Sequence, residues 1–206
     1  MGKHIFRLGL IAALSISGVA LAEDAGNPFI STATPDPVSL EMTDLFSSYC
    51  LDKFPNDAAL DQFAKDQGDA PMTGDEVKRV LHDDPGHGWH LKTALGTYTL
   101  TIEAPPYHAC GVRRAQKTGL SSAQPYMALV KSYATKNNFQ VSAPQTINGD
   151  LGGQGKSLLF ANLLINGGQA SGDTFIAVQD AYNDPKDPTK ILAVETRFVH
   201  QLTNGR

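Results

Sequence analysis

The chain has 206 residues, a formal net charge of −4 and 41% hydrophobic residues, with 17 basic side chains against 21 acidic ones. That length suits one domain, and the apolar content can build a core without a metal or many disulfides. The mildly acidic balance argues against nonspecific binding to nucleic acid or anionic lipid, which requires basic patches, so no nucleic-acid partner is expected.

At the N-terminus, Lys3, His4 and Arg7 lead into an apolar run from Leu8 to Leu21 that closes on Ala20-Leu21-Ala22. A basic region, a short apolar stretch and a small-residue triplet are the parts of an export signal. Residues 1–22 therefore read as a signal peptide cleaved after Ala22, which implies a periplasmic or secreted mature chain. Downstream, no apolar run is long enough to cross a bilayer, so no transmembrane span is expected after cleavage. Residues 23–37 are rich in Pro, Ser, Thr and Asp without periodicity and read as a flexible leader. Residues 38–206 read as a single α+β domain.

The first ordered element is a helix over Val38–Cys50, because Met42, Leu45, Phe46, Tyr49 and Cys50 recur at helical spacing. Pro55 ends it. A second helix is predicted over Asp57–Gln67, with Leu60, Phe63 and Ala64 inward and Gly68 as its stop. A third starts at a capping box, Thr73 to Glu76, and runs to about His82, where Asp83-Asp84-Pro85-Gly86 turns the chain.

From His82 to Arg114 the period changes to two. Trp89–Thr93 and Thr97–Glu103 read as strands, the second with Tyr98, Leu100 and Ile102 alternating against threonines. Beyond Pro105-Pro106, His108–Arg114 returns as a neighbour, with His108, Cys110 and Val112 on one face. A helix follows over Ser122–Asn137, with Pro125 in its first turn. Four further strands are predicted over Phe139–Ile147, Lys156–Ile165, Thr174–Tyr182 and Lys190–Gln201. The expected fold is a curved antiparallel sheet with helices packed on one face: three helices, about three strands, a helix, then a four-strand meander. That order is similar to cone-shaped folds of the nuclear transport factor 2 type, which host enzymes, binders and interaction modules alike.

Cys50 and Cys110 both fall on inward faces. In an exported chain they point to one disulfide, the alternative being two buried free thiols. His82, His87 and His90 form the only metal-like constellation, with His108 a further imidazole nearby; their spacing matches no known zinc signature. On a strand, His87 and His90 would face opposite ways. Trp89 and His108 are the candidate ligand-binding residues, expected on neighbouring strands of the concave side; the alternative for His108 is a core residue satisfied by a carbonyl.

No cofactor is expected. Gly155-Lys156-Ser157 ends like a phosphate-binding loop, but Asp150 stands where that motif needs glycine. Glu103, Asp173, Asp180 and Glu195 are available carboxylates, although no spacing pairs two of them, and no Gly-x-Ser-x-Gly elbow occurs. The signal peptide, the early helical Cys50, the central Trp89 and the segment Tyr107-His108-Ala109-Cys110-Gly111-Val112 resemble a group of small uncharacterised secreted proteins and lipoproteins of Gram-negative bacteria. The likeness covers mainly residues 40–115 and implies location rather than activity.

The leading expectation is a non-catalytic binding or interaction protein, inhibitor and immunity types included, with an unidentified protein or small molecule as partner. A small hydrolase, or a metal-dependent enzyme using the central histidines, is the alternative. An envelope assembly component is a third class.

Overall fold

The computed structural model describes residues 27–202, so the signal peptide and the first residues of the leader lie outside the described residues. The first helix, α1 (Pro37–Phe46), begins where Asp36 accepts the Ser39 N–H at 2.8 Å and Pro37 occupies the opening turn. It continues as a π-helical turn, Ser47–Leu51. Met42, Phe46, Tyr49 and Cys50 are all buried, as their spacing predicts, and Leu45 packs partly against them. α2 (Asp57–Gln67) and α3 (Gly74–Leu81) follow, the latter opening with the reciprocal Thr73–Glu76 capping box. α4 (Gln124–Lys136) is the fourth helix.

The strands are β1 (Ala70–Pro71), β2 (Gly86–Thr93), β3 (Gly96–Glu103), β4 (Ala109–Gln116), β5 (Gln140–Val141), β6 (Gln145–Asp150), β7 (Gly155–Asn166), β8 (Gln169–Asp184) and β9 (Asp187–Leu202). They form one open, curved antiparallel sheet in the order β1-β2-β3-β4-β9-β8-β7, with β5 and β6 both paired to β7. The α+β class is therefore as expected. Phe139–Ile147 is not one strand, however, but β5 and β6 separated at residues 142–144. Pro144 has no N–H to give to a ladder and breaks it there. β2 also starts three residues earlier than predicted, because Gly86, His87 and Gly88 pair with Glu103, Ile102 and Thr101.

One face of the sheet carries the core. Phe46 of α1 and Tyr126 of α4 meet Phe198 of β9, Tyr126 stacking on Phe198 at 4.2 Å between ring centres. These aromatics and Phe175 fill the space beneath the curved sheet. The Cys50–Cys110 disulfide forms, with the Cα atoms 5.4 Å apart, and ties the π-helical turn to β4. α3 lies across the opposite face at the β2 edge, and glycines make its approach feasible. A Cβ on Gly86 would stand 2.6 Å from Leu81 Cδ1 and 2.2 Å from the Ile102 carbonyl oxygen, and one on Gly88 2.6 Å from Met72 Sδ.

Residues 27–36 depart from the flexible leader expected over 23–37. Phe29 is 2% exposed and stacks on Phe160 at 5.0 Å. The Ala123 N–H donates to the Pro28 carbonyl at 2.8 Å, and the Ser121 N–H to Asp36 Oδ2 at 2.8 Å. Average composition hid the single aromatic residue that fixes this strap.

Burial raises the Asp36 carboxyl, but the hydrogen bonds from Ser121 and Ser39 outweigh it and hold the group below the usual carboxylate range. A carboxyl with a lowered folded value stabilises above its unfolded value of about 3.9, and that contribution is lost as pH falls through the folded value. Asp36→Ala is expected to cost about 1–2 kcal/mol in denaturant unfolding near neutral pH. The gap between variant and native protein should close in acid, and a gap unchanged in acid would contradict the role given to this carboxylate.

Candidate functional site

Trp89 and His108 do lie on the core face, but not on neighbouring strands, since β3 separates β2 from β4, and α2 already engages both. Asp57 and Asp61 sit one helical turn apart, so their carboxylates project side by side toward the sheet. His108 Nε2 lies 2.9 Å from Asp57 Oδ1. Asp61 Oδ1 accepts the Trp89 indole N–H at 3.2 Å and stands 2.8 Å from His87 Nε2. Both predicted residues are buried under the helix, and the Phe54 ring closes over His108 at 4.6 Å. This row clasps α2 to the sheet, and neither residue lines a cavity described below. The two aspartates were visible in the sequence; their partners were not, because nothing local links a helix turn to strands beyond it.

The three histidines considered for metal do not converge. His82 is the exposed residue that ends α3, in left-handed conformation at φ 54°. His87 turns to Asp61 on the core face, while His90 points to the other face, 3.3 Å from Glu76 Oε1 of α3. The two-residue period of β2 separates them. Among the described residues, no group of three metal-ligating side chains occurs.

The histidine most deeply placed is one that the sequence did not single out. His200 of β9 is 1% exposed, with Nδ1 3.1 Å from the Cys50 carbonyl oxygen and Nε2 3.0 Å from Asp173 Oδ1. Both neighbours accept hydrogen bonds, so the ring is held from either side. Phe175 stacks on it at 4.5 Å and Phe54 meets it edge-on. No motif flags such a residue, since its two partners lie far away in sequence.

The opposite face holds a charged network and an open cleft. Arg113 and Arg197 are directly paired across β4 and β9, as are Asp180 and Glu195 across β8 and β9. Arg197 Nη2 donates to Asp180 Oδ2 at 2.6 Å, and Ser157 donates to the other oxygen of that carboxylate. Glu195 is less well placed, at 3.5 Å from both guanidinium groups, beyond ordinary hydrogen-bond length. Arg113 Nε is buried without a partner.

Beside this network lies a cleft of about 230 Å³ between the end of α3 and the sheet. Small residues, Thr101, Ala109 and Gly111, make its floor. Arg113 and Arg197 stand at one end, Glu103 and Asp84 at the other. Burial, and then repulsion from Asp84, raise the Glu103 carboxyl above the usual range. Burial likewise lowers Arg113, against the opposing pull of Glu195. Each end thus carries a charge that its surroundings compensate only in part. A second, more apolar groove of about 490 Å³ runs between α4 and β7, walled by Met127, Val130, Phe139 and Phe160 with Lys131 and Asn162 beside them.

No family model matches the chain, and neither does any curated protein or solved structure.

Proposed function

We propose that this is an exported, non-catalytic binding protein that holds a small polar ligand in the cleft between α3 and the sheet. Export is supported by the basic, apolar and small-residue order of residues 1–22 and by the disulfide, which suits an oxidising compartment. The observation that carries the binding role is the cleft itself, whose two ends hold opposite, partly compensated charges above a floor of small side chains. The volume of about 230 Å³ lies below the roughly 300 Å³ at which drug-sized pockets begin, so the ligand is small. The central histidines do not converge as a metal site requires, since His87, His90 and His108 each stand against a different carboxylate.

The test is a thermal-shift screen of the mature protein with small acids, amines and zwitterions, alongside Gly111→Leu. A Cβ at Gly111 would lie 3.4 Å from Val199 Cγ2, so the backbone tolerates a side chain there while the rest of a leucine fills the cleft. A ligand at 100 times its dissociation constant stabilises by about 2.7 kcal/mol, which raises the melting temperature by several degrees. That shift is expected in the native protein and not in Gly111→Leu. A screen in which nothing stabilises the native protein, or in which Gly111→Leu responds equally, overturns the assignment. Turnover of a bound compound would instead favour a hydrolase with Glu103 as its acid.

A further inference from the structure

The register of the sheet sets the distance between the charged ends of the cleft. Glu103 pairs with Ala109 and Arg197 with Arg113, so the two ends stand four residues apart along β4. At about 3.3 Å per residue, their Cα rows are roughly 13 Å apart. Extended arginine and glutamate side chains are long enough to span much of that gap, which would leave a separation on the scale of a dipeptide backbone or a short ω-amino acid. An anion alone would leave Glu103 and Asp84 facing each other at the far end, and a cation alone would leave Arg113 with its long contacts to Glu195 and Val80, at 3.5 and 3.4 Å. Asp180 already engages Arg197 at 2.6 Å, which leaves Arg113 as the guanidinium open to a further carboxylate. We infer that the cleft takes a short linear zwitterion, its carboxylate held by Arg113 and its ammonium by Glu103 and Asp84. This rests on the cleft being the ligand site proposed above. The floor of Thr101, Ala109 and Gly111 passes a backbone-like chain and leaves little room for a large side chain.

Isothermal titration calorimetry near neutral pH, with glycylglycine as the probe, tests this directly. Two relatives serve as controls: the N-acetyl form, which lacks the ammonium, and the C-terminal amide, which lacks the carboxylate. Glycylglycine is expected to bind, and each capped form about tenfold or more weakly, the loss of one charge-assisted contact. Glu103→Gln should narrow the preference over the N-acetyl form, which Asp84 then supports alone, and Arg113→Gln should abolish the preference over the amide. Should Arg113→Gln fail to fold, Glu103→Gln and Gly111→Leu carry the test on their own. Equal binding of capped and free forms overturns the zwitterion. If glutarate or a diamine binds instead and Gly111→Leu blocks it, the cleft stands as the site and only the ligand class fails. If glycylglycine, glutarate and the diamine all leave the protein untouched, both the class and the proposed site fall.

Discussion

Cys110→Ser is expected to lower the stability of this protein by about 4 kcal/mol. The bridge spans 60 residues of sequence and joins the π-helical turn to β4, so its loss frees a long loop in the unfolded chain. In the chain-entropy view that freedom is the main cost. A second cost arises in the folded state, because the Cys50 carbonyl accepts from His200 and its position depends on the turn being held against the sheet. For a domain whose total stability is of order 5–15 kcal/mol, the variant should be marginal. Denaturant unfolding with and without reductant measures the effect. A midpoint that stays put in reductant, with both thiols shown free by labelling, would mean the bridge contributes nothing.

The second large effect is expected at the buried His200–Asp173 pair. Removing one partner of a buried hydrogen bond leaves the other polar group unsatisfied, at a cost of about 1–3 kcal/mol. Asp173→Ala should therefore destabilise the protein, since His200 is 1% exposed and hemmed in by Phe54, Phe175 and Tyr133. Replacing both partners, as in His200→Phe with Asp173→Leu, should cost less than the sum of the single changes, because neither side chain is then left facing a lost partner. A double-mutant cycle measured by chemical unfolding decides the matter. Additive costs would show that the two side chains act independently and that their contact at 3.0 Å carries little energy.

Much of the fold could be read from the sequence because its signals are local. The Thr73–Glu76 capping box, the spacing of Met42 and Phe46 and the alternation of Tyr98, Leu100 and Ile102 each act within a few residues. The disulfide was legible for a related reason, since the two cysteines both fall on inward faces and allow a single intramolecular pairing. What the sequence hid is non-local. The partners of His108 and Trp89 sit on a helix that precedes the strands, and those of His200 lie on the π-helical turn and β8. The cleft depends on register: only the pairing of Arg113 with Arg197, and of Glu103 with Ala109, puts guanidinium and carboxylate at opposite ends of one floor. A one-residue slip of any one of these strands would send its own charged group to the core face. The charged residues could be counted from the sequence, but their meeting could not.

The position of β9 has a consequence for how the protein comes to be made. It spans Asp187–Leu202 and is the last described strand, yet it lies between β4 and β8 in the middle of the sheet. A chain emerging N-terminus first can build the β2–β4 meander and later the β7–β8 hairpin, but the two stay separate, each with a bare edge, until residue 202 arrives. The sheet therefore cannot close before residues 187–202 are made, after its other strands. For a chain threaded through a membrane before it folds, as proposed here, that delay is useful. It keeps the polypeptide pliant throughout the crossing and ties maturation to delivery. The corresponding hazard is a nascent chain whose open edges invite pairing with neighbours until β9 fills the gap.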